Sequence, residues 1–189
     1  LVRAGARFAQ EEAALAEREL DVALKGQPPI AAEALMTRAR RLLRSSDNRA
    51  ARVLMAEVDR RFPKEPAAAE AGYLGAWLDL QGGRYLDSVA SFDELEKKHP
   101  ASRKRDEAGW FRALALFRLG RYPDSAAALD ALAAAFPRSS LLPQARYWAA
   151  RSRQLALPNT DPAPVALEYR AIVGSFPASF YAQLSIERL

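Results

Sequence analysis

The chain has 189 residues, half of them hydrophobic, with 28 Lys and Arg against 23 Asp and Glu, one His and no Cys. That share of apolar residues is enough to bury a continuous core, and the absence of cysteine excludes a disulfide scaffold and a thiolate metal site. No stretch approaches the ~18 consecutive apolar residues of a membrane-spanning helix, and the net charge of +5 is interleaved with acids, as in EEAALAEREL and DELEKK, the pattern of solvated helix faces.

In chain order, residues 1–26 predict an N-terminal helix with Phe8, Leu15 and Val22 on its apolar stripe, stopped by Gly26-Gln27-Pro28-Pro29. This helix is expected to cap the pair that follows or to belong to a preceding hairpin. A first repeat unit covers residues 30–63, with a basic face at Arg40, Arg41 and Arg44. Units 67–100 and 104–137 then say nearly the same thing twice: EAGYLGAWLDLQGGRYLDSVASFDELEKKHP from Glu70 and EAGWFRALALFRLGRYPDSAAALDALAAAFP from Glu107, an offset of 37. A fourth unit, 141–177, carries the loop PNTDPAP and keeps register after a three-residue insertion. Residues 178–189 start another helix whose Phe180, Tyr181, Leu184 and Leu189 have no further chain to pack against, so the natural protein is expected to continue.

A fixed period between 20 and 50 residues marks stacked supersecondary units. Each unit predicts two helices: the first carries Tyr73, Ala76, Trp77 and Leu80 at helical spacing, Gly82-Gly83 turns the chain, and the second carries Val89, Phe92 and Leu95 until Pro100 stops it. Ala39, Ala76, Ala113 and Ala150 recur at one position, where a small side chain lets two helix axes approach. Met55, Phe92, Leu129 and Tyr169 are in step in the second helices, as are Val58, Leu95, Leu132 and Ile172.

These residues resemble the tetratricopeptide (TPR) repeat. Its small residue in the first helix matches the four alanines, its turn glycine and aromatic match Gly83 with Tyr85 and Gly120 with Tyr122, and its closing proline matches Pro63, Pro100, Pro137 and Pro177. Its small residue early in the second helix matches Ala51, Ser88 and Ser125. The departures are the longer period and a first unit with Asp47-Asn48 in place of the glycine and aromatic. The resemblance implies an all-α, right-handed α-solenoid of stacked helix hairpins, spanning 1–189 as one domain.

A second resemblance lies at the end of the chain. ARYWAARSRQLA followed by ALEYRAIVGSFPASFYAQLSIERL is similar to the end of the superhelical domain of periplasmic soluble lytic transglycosylases, through Tyr147, Trp148, Ala150, Arg151, Ala166, Tyr169, Ser179, Phe180, Tyr181, Leu184, Arg188 and Leu189. Ala182 stands where that family commonly has glycine. The resemblance implies a non-catalytic scaffold module, a cell-envelope or periplasmic location, and peptidoglycan as the target of a downstream domain. The Glu-Ser signature of that catalytic domain is not found, since Glu187 is followed by Arg188.

Other chemistry finds little support. His99 has no second ligand at metal spacing, Gly82-Gly83 is a turn and not a phosphate loop, and Glu11-Glu12 and Asp93-Glu94 diverge around helices. No catalytic residue, metal or cofactor is expected. The basic cluster Lys97, Lys98, Arg103, Lys104 and Arg105 lacks the interleaved aromatics that stack bases, so nucleic acid is not an expected partner. The expected binding surface is the face of the first helices, which in a TPR stack lines the concave side: Arg40 and Arg44, Tyr73 and Trp77, Trp110 and Arg118, Tyr147 and Arg151. Aromatics beside arginines suit an extended peptide of a partner protein, or a glycan-peptide polymer. The alternative is that Tyr73, Trp110 and Tyr147 pack between neighbouring first helices.

Overall fold

A computed structural model describes residues 14–157 and 161–189. The described part of a first helix, α1, is residues 14–23. It is followed by α2 (Pro28–Arg44), α3 (Asn48–Arg61), α4 (Pro66–Gln81), α5 (Tyr85–Lys98), α6 (Arg105–Arg118), α7 (Tyr122–Ala135), α8 (Leu142–Ala156), α9 (Ala163–Ser175) and α10 (Phe180–Ile186). No strand occurs among the described residues. The contacts divide the chain into two compact units, Leu1–Leu78 and Asp79–Leu189, with the boundary inside α4.

The turns inside the hairpins share one chemistry. Ser46, Gly83 and Gly120 all take positive φ, at 64°, 75° and 73°, and each follows its predecessor by 37 residues. The following amide bonds back to the carbonyl five residues earlier each time: Asp47 to Leu42 at 2.9 Å, Arg84 to Asp79 at 2.8 Å and Arg121 to Leu116 at 3.0 Å. This left-handed closure satisfies carbonyls that a helix end leaves open. It corrects the reading of the first unit: the residue in the glycine position is Ser46, and Asp47 has a separate task. Its carboxylate accepts the Ala50 amide at 3.0 Å and caps α3.

The junctions between hairpins are equally repetitive. The second helices end at Phe62, His99, Phe136 and Phe176, whose φ values lie between −128° and −137°. Each stands directly before a proline, which drives its predecessor out of the helical region. Their amides still reach back to Val58, Leu95, Leu132 and Ile172, each at 2.9 Å.

Packing follows the repeat. Ala39, Ala76, Ala113 and Ala150 are each 0% exposed. In the first unit, Ala39 shares a core with Ala51, Met55 and Val58 of α3 and with Ala68 and Ala71 of α4. In the second unit, Ala113 packs with Trp110, Leu129, Leu132, Ala145 and Ala149, and Ala150 with Tyr147, Tyr169 and Ile172. The buried Ser125 hydroxyl donates to the Ala113 carbonyl at 2.9 Å, so α6 and α7 touch almost backbone to backbone.

The N-terminal stripe is corrected. Leu15 and Val22 are 58% and 71% exposed, whereas Leu20 is half-buried and Leu24 packs on the core of the first unit. The packed face of α1 is thus rotated away from the expected heptad. Phe8, Glu11 and Glu12 lie outside the described residues, as do Pro158, Asn159 and Thr160 of the long loop. At the other end, Tyr181 and Leu184 pack on α8 and α9, while Phe180 and Leu189 are exposed. The Ser179 hydroxyl accepts the Ala182 amide at 3.1 Å and starts α10.

Candidate functional site

The first-helix positions separate into registers counted from the buried alanine. Three residues before it stand Met36, Tyr73, Trp110 and Tyr147, all buried. One residue after it stand Arg40, Trp77, Leu114 and Arg151, all half-buried. Five residues after it stand Arg44, Gln81, Arg118 and Leu155, of which the first three are exposed. Tyr73, Trp110 and Tyr147, expected as binding residues, therefore present little surface. Arg40, Arg44, Trp77, Arg118 and Arg151 reach solvent.

In the first unit the basic face is largely paired. Arg40 donates to both Glu70 carboxylate oxygens of α4 from one guanidinium edge, Nε at 2.9 and Nη2 at 2.6 Å, and to Glu33 from Nη1 at 2.7 Å. The hydrogen bonds to Glu70 raise its pKa further above the ordinary arginine value, against the opposing effect of burial. Arg38 reaches Glu17 and Asp21, and Arg41 also reaches Glu17, which ties α1 to α2. Arg44, at the end of α2, is exposed. Charge alone in the sequence did not show this, because the pairing acids lie 24 residues before Arg41 and 30 after Arg40.

In the second unit an aromatic cluster fixes α6, α8, α9 and α10. Trp148 meets Phe117 edge-on at 4.9 Å and Trp110 at 6.4 Å. Tyr147 lies 5.9 Å from Trp148, 5.8 Å from Tyr169 and 5.5 Å from Tyr181. Burial pushes the Tyr169 phenol up to about 12, and its hydroxyl donates to the Gln154 side-chain carbonyl at 3.2 Å. Gln154 also accepts from Arg151 at 2.7 Å, so the half-buried arginine of this register shares its acceptor with the Tyr169 hydroxyl.

A feature the sequence did not reveal is a cleft of about 940 Å³ between α7, α8 and α9. Pro123, Leu157, Pro162 and Val165 contribute apolar walls, and Asp161 also lines it. On one wall Arg153 bridges Asp130 and Glu168, the latter at 2.6 Å. Burial raises the Glu168 pKa, outweighing the attraction of Arg153. Among the described residues no group of three or more His, Cys, Asp or Glu is placed to hold a metal ion. No described helix is long and apolar enough to cross a membrane.

Two solved structures lie close to this arrangement of hairpins. MamA from residue 41 to its end, from Desulfovibrio magneticus RS-1, superposes with a TM-score of 0.64 at 19% identity, covering 82% of this chain and 78% of that one. A putative kinesin light chain from Podosopora anserina with nearly identical TPR-like repeats also gives 0.64, at 14% identity, covering 90% of this chain and 89% of that one. The fold is a TPR-like helical repeat. At these identities the likeness concerns the fold alone. No protein-family model matches the sequence, and no curated protein sequence matches it. Of the five aromatic residues behind the transglycosylase resemblance, Tyr147, Trp148, Tyr169 and Tyr181 are members of the cluster just described, and Phe180 is exposed.

Proposed function

We propose that this TPR-like repeat is a non-catalytic scaffold in which the solvent-facing register of the first helices within a unit holds an extended segment of a partner protein. The observation that carries the reading is the half-buried set Arg40, Trp77, Leu114 and Arg151, each placed directly after a buried alanine. A side chain at that place is partly exposed, with the Arg40 guanidinium held by Glu70 and Glu33 and that of Arg151 by Gln154. Tryptophan and arginine, the residue types at 77, 40 and 151, are enriched at protein interfaces. Arg44 in the first unit and Arg118 in the second stand in the next register and are exposed, so both can be reversed in charge without disturbing the core.

The test uses a partner captured by the wild-type chain, purified and titrated against the Arg44→Glu, Arg118→Glu double variant. Affinity is expected to fall about tenfold or more, with unchanged helicity. An unchanged dissociation constant overturns the placement of the site.

A second reading is the superhelical module of a cell-envelope lytic transglycosylase, in the periplasm. Its support is that α10, which carries the SFY motif, packs through Tyr181 and Leu184 onto the cluster that holds the Tyr147-Trp148 motif. Reading the gene beyond Leu189 tests it: a lysozyme-like segment with a Glu-Ser signature is expected, and its absence overturns this reading.

A further inference from the structure

We propose that the corner between α5 and α6 is a separate docking site for an acidic segment of a partner protein bearing one large apolar side chain. The corner joins two features. The first is charge. From 97 to 105 the chain carries Lys97, Lys98, Arg103, Lys104 and Arg105 with no acid among them, and all five are exposed. Lys98 leans on Glu94 at 3.3 Å and Lys104 on Glu107 at 2.7 Å. Asp93 is engaged by Arg112, and Asp106 by the Ser139 hydroxyl at 2.7 Å. Lys97, Arg103 and Arg105 remain, and of the acids from 93 to 107 only Glu96 is left beside them.

The second feature is a socket. Behind the loop lies a cavity of about 180 Å³, walled by Phe92, Leu95, Leu132 and Phe136, with His99 and Arg105 also lining it. Arg105 lies 5.4 Å over the Phe136 ring. An apolar cavity of roughly 150 Å³ holds a benzene molecule, so this one has the size for a phenyl or branched aliphatic group. The space depends on Gly109, where an added Cβ would stand 3.2 Å from Leu132 Cδ1. One repeat later the same position is Arg146, whose guanidinium lies over Phe176.

The combination selects among polyanions. Nucleic acid would need exposed aromatic rings for stacking, and residues 97–105 contain none. A lipid surface would need large apolar side chains on the same loop, and none is exposed there. An acidic peptide with one ring or aliphatic anchor satisfies both the basic rim and the socket.

The probe is a short fluorescent peptide of glutamates around one phenylalanine, measured by anisotropy against the whole chain. Its Phe→Ala version, a single-stranded oligonucleotide and vesicles containing phosphatidylserine serve as comparisons. Binding of the phenylalanine peptide is expected to weaken about tenfold on removal of the ring, and to weaken between about 50 mM and about 300 mM salt as the ionic share is screened. Lys97→Glu with Arg103→Glu, both on the surface, is expected to abolish binding. Gly109→Ala is expected to weaken the phenylalanine peptide and leave its alanine version unchanged. No binding of the phenylalanine peptide, equal binding of its alanine version, or tighter binding of the oligonucleotide or the vesicles overturns the proposal.

Discussion

Replacing Ala113 by leucine tests the packing rule of the repeat at its tightest point. The alanine has no exposed surface, and the Ser125 hydroxyl sits 2.9 Å from its carbonyl oxygen, so α6 cannot retreat without losing that bond. Overpacking a filled core costs about 1 to 3 kcal/mol, and losing one buried hydrogen bond adds about 1 kcal/mol. A destabilisation of about 2 to 4 kcal/mol follows, which for a chain of this length lowers the melting temperature by roughly 5 to 15 °C. Thermal unfolding followed by far-UV circular dichroism measures it, with Ala134→Leu on the exposed side of α7 as the control. If Ala113→Leu melts together with the control, close approach at the alanine is not what holds the hairpin, and the reasoning fails.

Gly120→Ala places a Cβ in open space but at a φ of 73°, so a loss of about 1 to 2 kcal/mol is expected from conformation alone; Gly120→Asn, measured in the same urea titration, should lose less. Tyr169→Phe should remove a phenol that ionises in the folded chain only near pH 12. Because that pKa is raised above its unfolded value of about 10, the stabilisation is complete below about pH 10 and fades as pH rises toward 12; ultraviolet titration of the wild type and variant checks both the value and the sign. Arg40→Ala, Glu70→Ala and their double variant should give a coupling under about 1 kcal/mol, since the two side chains remain 32% and 43% exposed, and the coupling should shrink further in high salt.

Much of the fold was legible because a few positions are dictated by backbone chemistry. The residue before each closing proline must leave the helix, so Pro63, Pro100, Pro137 and Pro177 mark ends that the structure reproduces one residue earlier. The glycines at 83 and 120 fill a left-handed position, and a repeat offset of 37 leads from them to Ser46, a residue type that hides the turn from any search for glycine. The even packing of Met55, Phe92, Leu129 and Tyr169 shows how position, and not residue size, defines the register. The surface was harder to read. Whether Trp110 faces a groove or a neighbour depends on a rotation of under half a turn, and helical spacing serves both outcomes. Arg40 looked available because its partner Glu70 lies on another helix. The α1 face failed for a related reason: a heptad drawn through Leu15 and Val22 competes with one through Leu20 and Leu24, and only the neighbouring helix decides between them.

The absence of cysteine permits the most direct test of the central claim, that one register is sealed in every hairpin while the neighbouring register is open. Single variants Ala39→Cys, Ala76→Cys, Ala113→Cys and Ala150→Cys, and Arg44→Cys, Gln81→Cys and Arg118→Cys, are each treated with a thiol reagent under native conditions. All four alanine positions should be protected until the chain unfolds, and the other three should react at once. An alanine-register cysteine that reacts as fast as the one at 118 would contradict the account.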